Sequence, residues 1–170
     1  MRGFSGGVNE EGLRPMSRRI SQSAVWREMM TLQGTPEQGF QTVKEIVTTN
    51  ALCFRADADG VSAAMALLTA HATGAPVVDH NGVLVGFVSE LDLLRAMDRG
   101  ERLGERQVGE IMRKDPISIS EDTPLVTASR LLDDYRILVL PVIRDGTVVS
   151  SITRHDLLRA RVGLGPQIEE

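Results

Sequence analysis

The sequence has a single cysteine, Cys53, so no intrachain disulfide can form and packing must hold the fold together. A reducing compartment suits such a chain. Aromatic residues are scarce, at 4%, which leaves the core to Val, Leu, Ile and Ala. No apolar run approaches the roughly 20 residues that a membrane-spanning helix needs. Positive charge is not in excess either. The formal net charge of −4 lacks the bulk attraction that non-specific nucleic-acid binding requires. The N-terminus has no apolar segment of signal-peptide type, and Glu10 and Glu11 argue against a transit peptide. The expectation is a cytoplasmic protein with no nucleic-acid partner and no membrane partner.

What is present is repetition. Glu45-Ile46 recurs as Glu110-Ile111, and Leu52 and Phe54 recur as Ile117 and Ile119. Asp57 recurs as Asp122, Pro76-Val77-Val78 as Pro141-Val142-Ile143, Gly82 as Gly146, and Leu93-Leu94-Arg95 as Leu157-Leu158-Arg159. The spacing changes by one residue, lost at the turn before Gly146. One duplicated unit explains this pattern. With 170 residues, the chain is one domain or two small ones packed together.

Each unit reads as strand, helix, strand, strand, helix. The first strands are Leu52–Phe54 and Ile117–Ile119, with Cys53 inside the first as a small buried residue. Helices over Val61–His71 and Pro124–Asp133 follow, with Val61, Met65 and Leu68 at helical spacing. Pro124 suits a first helical turn, where its missing N–H is no loss. Strands Pro76–Val78 and Leu84–Ser89, then Pro141–Ile143 and Thr147–Thr153, are joined by Asn81-Gly82 and Asp145-Gly146, both tight-turn signals. Closing helices cover Leu91–Asp98 and His155–Val162. The division is an N-terminal extension over 1–42 carrying a short helix, Ala24–Leu32; a first unit over 43–98; a charged linker over 99–107; a second unit over 108–163; and a tail over 164–170.

Glu-Ile-Val-Thr and Glu-Ile-Met-Arg at the unit starts, the Pro-Val-Val/Ile strand, the Gly turn and strand-Ser/Thr-x-x-Asp-Leu-Leu together resemble the CBS domain. The tandem resembles a Bateman module over about Val43 to Val162. The resemblance implies an α/β fold of the α+β type: two pseudo-symmetric β-α-β-β-α units packed through their sheets. It also implies a homodimer, and a regulatory protein that binds an adenosine-containing ligand such as AMP, ADP, ATP or S-adenosylmethionine between the units.

The candidate site residues cluster at the two strand–helix junctions. Ser89 with Asp92, and Thr153 with Asp156, place an acid three residues after a hydroxyl. Helix capping alone explains that spacing. A helix N-terminus can also hold a phosphate, and a carboxylate can take both hydroxyls of a ribose. The resemblance gives the matching Asp that ribose role. The second unit carries more positive charge: Arg154 and His155 at its helix start, and Arg113 and Lys114 at its beginning. If all four converge, charge-assisted hydrogen bonds to a phosphate follow. Val139, Leu140 and Pro141 would border an adenine. In the first unit Glu90 and Leu91 replace Arg154 and His155, and Glu90 would repel a phosphate, so the second unit is expected to bind a nucleotide and the first to be weaker, empty or suited to a ligand with less negative charge.

No catalytic constellation is visible. His71, His80 and His155 show no metal-ligand spacing with one another or with Cys53. No G-x-S-x-G, phosphate-binding G-x-x-x-x-G-K-[ST], or G-x-G-x-x-G after a strand occurs. The expectation is a non-enzymatic sensor with no redox cofactor and no structural metal, working through an unknown effector protein. A ligand-free interaction module, or a binder of S-adenosylmethionine or magnesium-nucleotide, stands beside it.

Overall fold

Two tight turns organise the molecule. The computed structural model describes residues 39–46, 48 and 52–163, so the expected Ala24–Leu32 helix lies outside the described residues. Gly82 and Gly146 take φ of +79° and +82°, which only a residue without Cβ adopts freely. They fold β2 (Gly74–Val78) onto β3 (Leu84–Ser89), and β5 (Val139–Arg144) onto β6 (Thr147–Thr153). The short β1 (Phe54–Arg55) and β4 (Ile119–Ser120) add parallel to β2 and β5, giving two three-stranded sheets of order β1-β2-β3 and β4-β5-β6.

Helices α1 (Gly60–Thr69) and α2 (Glu90–Asp98) back the first sheet; α4 (Leu125–Asp134) and α5 (Arg154–Arg161) back the second, and a single turn, α3 (Val108–Ile111), opens the second repeat. The Asp59 side chain starts α1 by accepting from the Ser62 N–H at 2.9 Å and its hydroxyl at 2.6 Å. Pro124 is the residue before α4 and not in its first turn, because its ψ of 140° is extended. Cys53 is exposed, contrary to the expected buried position. It precedes a strand of only two residues, and its neighbour Leu52 takes the inward place against the core.

Strand alternation divides the side chains between two faces. Ala75, Val77 and Val88 pack under the helices of the first unit, and Leu140, Val142 and Ile152 under those of the second. Pro76 and Pro141, one place along, are fully buried between the sheets. The hairpin tips also pair: Leu84 N–H donates to Gly146 O at 3.2 Å, and Val148 N–H to Gly82 O at 3.1 Å. These reciprocal bonds are the mark of an internal two-fold.

The repeats in sequence are not the two bodies in space. Val43, at the start of the first repeat, is buried in the second unit's core, with Phe40 and Ile46 packed against the same cluster. Val108 and Ile111, at the start of the second repeat, are buried in the first unit's core. Backbone bonds repeat with the units interchanged. Val43 N–H donates to Thr123 O at 3.0 Å, and Val108 N–H to Ala58 O at 2.8 Å. Each unit is closed by the lead-in segment of the other. Among the described residues no helix is long and apolar enough to cross a membrane.

Candidate functional site

Both strand–helix junctions form complete capping boxes. Ser89 N–H donates to Asp92 Oδ2 at 2.9 Å and Asp92 N–H to Ser89 Oγ at 3.3 Å. Thr153 N–H donates to Asp156 Oδ2 at 2.8 Å and Asp156 N–H to Thr153 Oγ1 at 3.2 Å. Capping does not require burial: Asp59 caps α1 while exposed. Asp92 and Asp156 are only 7% and 1% exposed, and Asp92 lies at the inter-unit cleft. A buried carboxylate needs more partners than a cap supplies.

At Asp92 that partner comes from the other repeat. The lead-in to β4 lies antiparallel to β3, with Phe87 N–H donating to Arg113 O at 2.9 Å and Arg113 N–H to Phe87 O at 2.8 Å. Gly86 makes the approach possible. A Cβ there would stand 2.9 Å from Arg113 O and collide with Met112 Sδ. Arg113 Nε then reaches Asp92 Oδ2 at 3.3 Å, and its guanidinium lies 5.9 Å from the centre of the Phe87 ring. Oδ2 thus carries three side-chain or backbone donors at Ser89 and Arg113, while no bond to Oδ1 occurs among the described residues.

A cavity of about 510 Å³ opens above this pair. Ser89, Asp92 and Arg95 line it from the first unit, and Arg113, Lys114 and Arg136 from the second. Ile117, Ile137, Val139 and Pro141 supply an apolar wall opposite, and Tyr135 stands at the side, 58% exposed.

Six of the residues singled out from sequence therefore meet in one place: Ser89, Asp92, Arg113, Lys114, Val139 and Pro141. The grouping differs from the expected one. Arg113 and Lys114 do not join Arg154 and His155; the crossed lead-in carries them to the first unit's junction. Arg154 instead closes the end of α4, its Nη2 within 3.4 Å of Leu132 O and 3.5 Å of Ile137 O. His155 is exposed at the start of α5. Leu140 points away from the cleft into the second core, as alternation between Val139 and Pro141 requires. Sequence reasoning missed Arg95, Tyr135 and Arg136. Arg95 had a signal, since it lies one helical turn beyond Asp92; the other two reach the cavity only through inter-unit packing.

The comparisons with known proteins agree with this architecture. Residues 43–99 and 108–163 each match the CBS domain model. The chain belongs to the CBS-domain family and carries the domain as a tandem pair. It is 30% identical over 179 residues to the chloroplastic CBS domain-containing protein CBSX1 of Arabidopsis thaliana, a match covering 86% of this chain and 75% of that protein. It is 34% identical over 94 residues to a CBS domain-containing protein of Dictyostelium discoideum, covering 49% of this chain and 65% of that protein. The chain spans less than two-thirds of that protein, and only 31% of an arabinose 5-phosphate isomerase of Francisella tularensis that it also matches. Among solved structures, CBSX2 of Arabidopsis thaliana in complex with AMP is 30% identical, with a TM-score of 0.64 over 72% of this chain and 97% of that one. The CBS domain pair of MJ0100, in complex with 5′-methylthioadenosine and S-adenosyl-L-methionine, is 27% identical, with a TM-score of 0.63 over 72% and 96%.

Proposed function

We propose that this chain is a regulatory module that senses an adenine nucleotide of the AMP, ADP or ATP type and transmits its bound state to an effector protein. The observation that carries the reading is the composition of the 510 Å³ cavity: a buried carboxylate from one unit faces Arg113 and Lys114 from the other. The cavity thus offers a place for a ribose on Asp92, for a base against Val139 and Pro141, and for a phosphate near Arg113 and Lys114, with Glu90 and Asp115 also on its lining. One ligand then bridges both units, so its binding biases their relative angle. The AMP complex of CBSX2 supports this ligand class. The Thr153–Asp156 junction is proposed as the second ribose position, with Arg154 and His155 beside it.

The test is calorimetric titration with AMP, ADP, ATP and S-adenosylmethionine, with and without magnesium. Asp92→Ala is expected to weaken nucleotide binding by about one to two decades, since a hydrogen bond to a charged group is worth roughly 1.5–3 kcal/mol. Asp156→Ala reports on the second position in the same way. Unchanged affinity in both variants would remove the junctions from the site.

A second reading, a ligand-free interaction module, draws on the completeness of the two capping boxes. No heat with any ligand, from a folded protein, would favour it. The homodimer is supported by large apolar side chains exposed on α1 and α2, including Met65 at 58%, Leu68 at 61%, Leu94 at 55% and Met97 at 55%. A monomer in sedimentation equilibrium would sink that part.

A further inference from the structure

Half of the place a ribose would take is already in use. Asp92 Oδ2 accepts from Ser89 and from Arg113 Nε at 3.3 Å, so a ribose that sets one hydroxyl on each carboxylate oxygen competes at Oδ2 with an ion pair inside the chain. The Arg113 backbone is fixed by its two hydrogen bonds to Phe87. Its side chain is 55% exposed and rests over the Phe87 ring, so the guanidinium can leave Asp92 without moving the strand beneath it.

We infer that Arg113 is a specificity-determining residue that selects phosphorylated over uncharged adenosine ligands by exchanging partners. The inference rests on the nucleotide reading of the same cavity. A phosphorylated ligand returns what it takes: its ribose frees Arg113 from the carboxylate, and its phosphate receives the guanidinium. One ion pair breaks and another forms, with two hydroxyl–carboxylate bonds added. Unphosphorylated adenosine breaks the same ion pair and leaves Arg113 with water. The latch thus costs the uncharged ligand affinity and costs the phosphorylated one little. Arg113 acts in both directions because it pairs with Asp92 within the chain and can turn to a phosphate when a ribose takes that carboxylate.

The experiment is titration of AMP and of adenosine into the full chain and into Arg113→Met, which keeps an apolar stem against Phe87 and removes the charge. AMP should weaken about tenfold or more, the loss expected of a charge-assisted contact. Adenosine should tighten about two- to fivefold, the gain expected on releasing a half-exposed ion pair. Opposite shifts support the exchange. Equal weakening of both ligands would make Arg113 merely structural, and no change in either would remove it from the site; both results overturn the inference while AMP binding to the unaltered chain keeps the nucleotide reading intact. If the unaltered chain binds neither ligand, the nucleotide reading fails and the inference with it. The midpoint of thermal unfolding of the ligand-free variant checks that the cleft is folded.

Discussion

Asp59, Asp79 and Glu101 show what acidic residues do away from the cleft. Asp59 is held below the usual carboxylate range by the Ser62 hydroxyl and backbone N–H. Asp79 is held there by the Val83 and Asn81 N–H groups of its turn, and Glu101 by Arg99 and then Arg106. Each folded value is depressed, so each contribution to stability is complete above the unfolded carboxylate value and is lost as pH falls through the folded one. The midpoint of thermal unfolding is expected to be flat from about pH 7 to about pH 5 and to fall steadily below about pH 4. A midpoint that rose on acidification would contradict these assignments. The cleft carboxylates differ in kind. Asp92 was legible as a cap from Ser89-x-x-Asp92, and as a candidate ribose acceptor through the resemblance of the repeated motif to the CBS domain. Its burial and its ion pair with Arg113 were not, because both come from a segment that a sequence pattern cannot orient.

At the scale of elements, Gly86 is the position that lets the second lead-in lie on β3. Gly86→Ala would place a methyl 2.9 Å from Arg113 O, a backbone atom that cannot turn aside. The expected cost is about 1–3 kcal/mol, read from denaturant unfolding, together with weaker nucleotide binding as Arg113 is pushed off Phe87. An alanine variant as stable as the original would show that the lead-in is loosely held. Two strands were readable from the chain with their expected bounds, β3 and β6, because each runs from a Gly turn straight into a hydroxyl cap, whereas β2 and β5 start two residues earlier than expected, at Gly74 and Val139. The short β1 and β4 were displaced by a residue or two, since two-residue strands are defined by their parallel partners and not by any pattern of their own. Most consequential was the side on which each lead-in falls. Glu45-Ile46 and Glu110-Ile111 look like the natural beginnings of their own units. Hydrophobic pattern says that Val43 and Val108 are buried but not in which core, and so Arg113 and Lys114 were grouped with the wrong junction.

At the scale of the whole molecule, the crossing makes neither unit self-sufficient. A fragment ending before Val108 would leave Phe54, Ala63 and Leu67 without the cover of Val108 and Ile111. Such a fragment is expected to lack a cooperative unfolding transition, checked by circular dichroism on heating; a sharp transition would show that the first unit closes by itself. The same crossing governs the order of events on the ribosome. The chain emerges N-terminus first, but Val43 has its place among Leu125, Leu157 and Ala160, which are made well after it. The first sheet can assemble early and must then wait, one flank open, until Val108 and Ile111 follow the linker out of the exit tunnel. Val43, by contrast, is made before any of its partners in the second core, so the segment that opens the first repeat stays without a pocket until the second unit has followed it out.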